Sequence, residues 1–274
     1  MTDTNARADV LYAADDNYVI PLSVSLRSLQ EKASCDVRIA IACDHVSGES
    51  KQRILASVPQ PDLVRFVDID GAGLPAATVR GITTTYSRTA FARLSVAEMT
   101  VHPHRFVYLD SDTVVYSDID TLLSLDVAGF ILRAVRDDTY TLFARQTARI
   151  PDSNGPVSPC FNSGVLLINS AWWFGAAVGA RSLKVAVERG ISDQGALNIV
   201  CAGAWAELPR EWNVTTQDLL RHRRRRSRPV APHIRHLTAV KPWKREVNPN
   251  DIDRLLLQRY YEVLERTTWI RGET

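Results

Sequence analysis

The chain has 274 residues, 45% of them hydrophobic, and a formal net charge of +2 from 33 basic and 31 acidic side chains. That length and apolar content suit a full globular core and exclude a disordered or fibrous chain, and so small a net charge supplies no global field for nucleic acid. The cysteines Cys35, Cys43, Cys160 and Cys201 show no CxxC spacing and no apolar secretory run precedes them, so four free thiols in a reducing, cytoplasmic setting are expected.

In chain order, residues 9–14 (DVLYAA) predict a strand and residues 21–32 a helix with Leu22, Leu26 and Leu29 on one face. A strand at 37–43 (VRIAIAC), a helix at 47–58, a strand at 63–69, a helix at 87–100 carrying Phe91 and Leu94, and a strand at 106–109 follow. The second half is less regular: 130–135 and 161–168 read as strands, 191–201 as a helix and 205–214 as a loop or short strand. Residues 221–232 lack apolar periodicity and hold two prolines, which predicts a mobile loop; residues 251–266 predict a terminal amphipathic helix. The longest apolar stretch, 165–180, is broken by Asn169, Ser170 and Gly175, so it reads as a buried strand with Asn169 or Ser170 capping a following helix, and no transmembrane segment is expected. Strands alternating with helices argue for an α/β chain with a mostly parallel, Rossmann-like sheet covered by helices. Ligands in such sheets sit at the carboxyl ends of the strands, where Asp15, Asp16 and Asn17 fall in one case and Asp110 and Asp112 in another.

The run RFVYLDSDTVV at 105–115 is the most informative chemistry. Asp110 and Asp112 follow an apolar strand two residues apart, so both carboxylates can project from one face onto a hard cation. Downstream, RHLTAVKPW offers His236, Lys241 and Trp243; an imidazole beside two carboxylates suits Mn²⁺, with open positions for phosphate oxygens or water. Asp15, Asp16 and Asn17 either bond a base or ribose or turn the chain. Asn162 opens an apolar strand in FNSG, where a polar side chain must meet a ligand or the backbone. Asp193 and Gln194, at a predicted helix start, serve as caps or as ligand-facing groups.

The segments LYAADDNY, FARLSVAEM, FVYLDSDTVV, FNSGVLLIN, SDQGALN and HLTAVKPW occur in an order and rough spacing similar to those of the retaining glycosyltransferases of family 8. The resemblance covers about residues 9 to 245. It implies a GT-A fold in a single catalytic domain over 1–274, with a nucleotide-binding half (9–115), a smaller mixed sugar and acceptor half (116–245) and a C-terminal helical segment (246–274). It implies Mn²⁺, with Mg²⁺ as alternative, on Asp110, Asp112 and His236, and contacts of Ala13, Asp15 and Asn17 to the uridine part of a UDP-sugar. Ser111 would belong to the donor site; Arg93, Asp137, Asn162, Asp193 and Gln194 fall where that family handles the donor sugar, with Asp137, Asp193 and Gln194 the catalytic candidates. Lys241 would meet the diphosphate. The activity implied is transfer of a hexose, with retention, to a hydroxyl acceptor such as an oligosaccharide, glycolipid, natural product or protein.

The last motif departs from the family pattern: Ala239 stands where much of the family has glycine, and Lys241 lies five residues beyond His236 instead of six. The arginine run from Arg221 to Arg228 (RHRRRRSR) reads as an acceptor-side lid, a peripheral contact to the inner face of a membrane, or a solvated loop. Two rival readings fit parts of the same sequence. Asp110 to Val114 also fits the DxDx[TV] motif of haloacid-dehalogenase-type phosphatases, with Asp137 and Asp138 as a late acidic pair, although no lysine lies between Thr113 and Asp137. A sugar-nucleotide-binding protein without catalysis is the other.

Overall fold

The structure, a computed structural model, describes residues 8–69, 88–95, 100–138, 159–224, 230–238, 241–244 and 254–269. Its strands are β1 (Val10–Ala14), β2 (Ile39–Cys43), β3 (Val64–Asp68), β4 (Arg105–Leu109), β5 (Thr113–Val115), β6 (Leu132–Arg136), β7 (Phe161–Asn169), β8 (Trp205–Glu207), β9 (Val214–Thr215) and β10 (Ile234–His236). The helices are α1 (Val19–Gln30), α2 (Gly48–Ala56), α3 (Arg88–Ala92), α4 (Asp120–Leu123), α5 (Ser170–Gly175), α6 (Val178–Arg189), α7 (Asp193–Val200), α8 (Thr216–Arg224) and α9 (Arg254–Leu264).

Seven strands form one sheet in the order β3-β2-β1-β4-β7-β6-β8. The pairings are parallel except at β7, which runs antiparallel to both β4 and β6. Each residue of β1 is buried because both sheet faces are covered: Leu11 and Ala13 enter one apolar cluster, and Val10, Tyr12 and Ala14 the other. That two-sided burial explains why the strand reads as a continuous apolar run. Helix α1 lies between two clusters, giving Leu22, Leu26 and Leu29 to one and Val24 to the other. Two of its three buried serines donate locally: Ser23 Oγ to the Val19 carbonyl and Ser28 Oγ to the Ser25 carbonyl. A second, three-stranded sheet, β5-β10-β9, carries His236 beside Thr113.

Two expectations need correcting. The helix predicted at 87–100 ends at Ala92 and tightens into a 3₁₀ turn over Arg93–Ser95; residues 87 and 96–99 lie outside the described residues. The Leu94 carbonyl packs on Gly179 so closely that a Cβ there would stand 2.1 Å from the oxygen, an approach that needs glycine. The loop predicted at 221–232 is helical up to Arg224, because Thr215 and Asp218 form a reciprocal capping box: the Asp218 N–H donates to Thr215 Oγ1 at 3.1 Å and the Thr215 N–H to Asp218 Oδ2 at 3.1 Å. Residues 225–229 lie outside the described residues. At 205–214, the expected loop or short strand resolves into β8, a 3₁₀ turn over Arg210–Asn213 and the start of β9. Asn169 is the residue that caps α5, its side chain accepting from the Trp172 N–H. Among the described residues no helix is long and apolar enough to cross a membrane.

Candidate active site

The antiparallel course of β7 builds the site. Leu109 pairs with Val165, so the start of β7 lies beside the end of β4, and the Asp110 N–H donates to the Gly164 carbonyl at 2.8 Å. The turn between β4 and β5 is pinned from below. Ser111 Oγ donates to the Ala13 carbonyl at 2.7 Å, and Thr113 Oγ1 donates to the Asp110 carbonyl at 2.9 Å. Ser25 Oγ of α1 stands 2.8 Å from Thr113 Oγ1 and 3.0 Å from Tyr12 Oη, a buried hydroxyl chain beneath the acidic turn.

Asp110, Asp112 and His236 converge above this turn, with donor atoms within 4.8 Å of one another. His236 Nε2 lies 3.1 Å from Asp112 Oδ1 and 3.5 Å from Asp110 Oδ2. Neighbouring ligands on an octahedral ion with bonds of about 2.1 Å stand roughly 3 Å apart, so the spacing and the O,O,N donor set fit a hard divalent cation. Gly164 makes this approach possible: a Cβ on it would lie 2.2 Å from His236 Cε1 and 2.9 Å from Asp110 Oδ2. Burial alone would raise the Asp112 carboxyl, yet His236 and Lys241 beside it hold it well below the usual range. Burial alone would depress the His236 imidazole, but Asp112 and then Asp110 raise it. The site therefore favours positive charge, and a cation held there would take the place of the proton on Nε2.

Around this centre the expected donor residues form one connected network. Lys241 Nζ donates to Asp112 Oδ2, and rests 5.6 Å from the Tyr18 ring and 5.2 Å from the Trp243 ring. Arg93, 5% exposed, donates to the Ser163 carbonyl at 2.6 Å and Oγ at 2.9 Å, and pairs with Asp193; Asp110 Oδ1 lies 3.5 Å away. Tyr108 Oη donates to Asp110 Oδ1 at 2.8 Å, with Arg93 stacked 4.7 Å from its ring. Gln194 Oε1 accepts from the Ser163 N–H at 3.1 Å, and Asp137 Oδ2 accepts from Gln194 Nε2 at 3.3 Å and Asn162 Nδ2 at 3.4 Å.

The nucleotide-side candidates stand apart from that network. Asp15 caps the 3₁₀ turn over Asp16–Tyr18, accepting from the Asn17 N–H at 2.9 Å, and its other oxygen accepts from Thr89 Oγ1 at 2.7 Å. Asn17 is exposed. Asp138 turns away from Asp137 to Arg136 and Arg210, each at 2.7 Å, so the two do not act as the paired acids of a phosphatase. Ala239 lies outside the described residues. Sequence reasoning missed Tyr108, Gly164 as the residue that admits His236, and Asn213, whose Oδ1 is 3.2 Å from His236 Nδ1. A glycine inside an apolar strand is the readable signal for such a close approach.

Residues 9–247 match the sequence model described as glycosyl transferase family 8. The chain belongs to that family. Among curated relatives, it is 28% identical over 217 residues to the glycosyltransferase GlyF of Streptococcus pneumoniae, covering 76% of the chain and 49% of GlyF, so it spans about half that relative's length. Against the lipopolysaccharide 1,2-glucosyltransferase of Escherichia coli it is 24% identical, over 97% of the chain and 80% of the relative. The fold matches that of the galactosyltransferase LgtC, solved with donor and acceptor sugar analogues, with a TM-score of 0.78 at 24% identity over 97% of this chain and 98% of LgtC. The family 8 protein thus has the GT-A fold.

Proposed function

We propose that this family 8 glycosyltransferase transfers a hexose from a UDP-sugar to a hydroxyl acceptor, with retention and with a divalent cation, Mn²⁺ or alternatively Mg²⁺, on Asp110, Asp112 and His236. The observation that carries the reading is the three-ligand cluster at the carboxyl end of β4, opened by Gly164 and lined by cationic groups. A bound divalent cation would neutralise charge growing on the departing diphosphate. Lys241 would add its ammonium to the same oxygens, leaving Asp112 to do so. Ala13, Asp15 and Asn17 would border the uridine, Ser111 would fix the turn below it, and Arg93, Asp137, Asn162, Asp193 and Gln194 would surround the hexose. The half at 9–115 would then hold the nucleotide and the half at 116–245 the sugar and acceptor.

The same geometry favours attack from the face the leaving group departs. Asp193 is neutralised by Arg93, and Gln194 is a neutral amide tied to Ser163 and Asp137, so neither presents a ready carboxylate to C1. A donor phosphate oxygen would then accept the proton of the incoming hydroxyl. One LgtC structure is of an active-site glutamine-to-glutamate variant, which makes a glutamine part of that relative's active site and supports the assignment of Gln194. The test is Mn²⁺-dependent release of UDP from UDP-glucose, UDP-galactose and UDP-N-acetylglucosamine. Turnover of one of them, lost in Asp112→Asn, is expected; UDP binding without turnover of any donor would instead identify a binding protein.

A further inference from the structure

We propose that Asn213 is a positioning residue that decides which ring nitrogen of His236 carries hydrogen, and so presents a bare Nε2 to the cation. The proposal rests on the reading of Asp110, Asp112 and His236 as metal ligands.

One group beside the ring has a polarity that cannot be reversed. The Gly164 backbone N–H donates to Asn162 Oδ1 at 3.0 Å, which fixes the oxygen end of the Asn162 amide. The other end, Nδ2, then donates to Asp137 Oδ2 at 3.4 Å. Asn213 reaches the same Asn162 oxygen at 2.8 Å, so it must donate there from its own Nδ2. Its Oδ1 is consequently the atom 3.2 Å from His236 Nδ1, and an amide oxygen accepts, so the hydrogen sits on Nδ1. The proton that a cation would displace is therefore the one on Nε2, whose freed lone pair is aimed between Asp112 Oδ1 and Asp110 Oδ2. The opposite tautomer would drive an N–H into the position a cation must occupy.

Asn213 is 1% exposed, so bulk water does not replace it. Pairing of Thr215 with His236 across β9 and β10 holds its turn beside the ring. One backbone amide thus orients the imidazole through two side-chain amides in series, and the same Asn213 joins Asn162, on the side proposed for the sugar, to the proposed metal ligand. An isolated polar residue between Trp212 and Val214, both buried, has no packing reason to be there.

The test is Mn²⁺ binding to the full chain without nucleotide, read by electron paramagnetic resonance of the free ion, with thermal melts alongside. Asn213→Leu keeps the branched side-chain skeleton and removes the acceptor; Asn213→Asp keeps an oxygen for Nδ1. Loss of a group that orients a ligating histidine typically weakens metal binding about 10- to 100-fold, which is the drop expected for Asn213→Leu, with Asn213→Asp binding more tightly than Asn213→Leu. If Asn213→Leu does not fold, Asn213→Ala takes its place. Wild-type affinity in the folded apolar variant, or no advantage of Asn213→Asp over it, would overturn the proposal while His236→Ala and Asp112→Asn still abolish binding. Should those two also bind Mn²⁺ like the wild type, it is the metal reading that fails.

Discussion

Gly164→Ala is the smallest change that probes the site's construction. The added Cβ would start 2.2 Å from His236 Cε1, 2.5 Å from Nδ1 and 2.9 Å from Asp110 Oδ2. Ordinary contact begins at 3.4 Å, so the ring must retreat by about 1.2 Å, or β7 must shift away from β4. The strand is packed on both faces, with Val165, Leu166 and Leu167 all fully buried, so the imidazole is the part that gives. Overpacking of this kind costs about 1–3 kcal/mol of stability, and a displacement of about 1 Å in a positioned group costs on the order of 100-fold in rate. Mn²⁺ titration and metal-dependent UDP release, measured on protein shown by melting to be folded, should both fall while UDP release at saturating Mn²⁺ recovers only in part. A folded Gly164→Ala protein with wild-type Mn²⁺ affinity and turnover would refute the claim that this glycine exists to admit His236.

Other consequences reach beyond the site. Gly179→Ala places a Cβ 2.1 Å from the Leu94 carbonyl, a backbone atom that cannot swing aside, so a loss of about 2 kcal/mol and a melting temperature lower by roughly 4–8 °C are expected; an unchanged melt would contradict it. Arg93→Met leaves Asp193 buried without its cation and should cost about 3–5 kcal/mol, and adding Asp193→Asn should restore much of the loss; additive losses in the double variant would count against the pairing. Glu31 binds Arg27 and Arg266 at 2.9 Å and Arg259 at 3.2 Å, joining the end of α1 to α9. Burial would raise its carboxyl, but Arg266 and Arg27 hold it below the ordinary value of 4.5. A depressed carboxyl contributes stability above its unfolded value that is lost as pH falls through the folded one. Glu31→Gln should therefore melt lower than the wild type at neutral pH, by about 1 kcal/mol of stability, and the gap should narrow as the pH falls below 4.5 and through the folded carboxyl's lowered value; a gap that does not narrow would contradict the ion-pair origin.

The legible parts of the sequence were those where one physical signal dominated. β1, β2 and β4 are short apolar runs bounded by polar residues, and their ends fell within two residues of expectation. Asp110 and Asp112 meet His236, more than 120 positions away, because β10 pairs antiparallel to β5 directly after the acidic turn, and ordered motifs could suggest that meeting. The second sheet itself was not legible: β5, β9 and β10 have two or three residues each, too few for a period to register. The break after Ala92 reflects close packing of Leu94 on Gly179, a tertiary contact that helix periodicity does not report. The helical start of the arginine run could have been read, since Thr215 and Asp218 have the capping-box spacing, but the charges that follow masked it. Asn213 gave only a weak sign, a polar residue between two apolar ones, because its importance lies in hydrogen-bond direction.

The most direct test is a crystal of the full chain grown with Mn²⁺ and UDP, with anomalous diffraction recorded at the manganese edge. One strong peak is expected within bonding distance of Asp110, Asp112 and His236 Nε2, with diphosphate oxygens on its open side and Lys241 moved from Asp112 onto the phosphates. Ordered UDP with no anomalous density between those three side chains would contradict it.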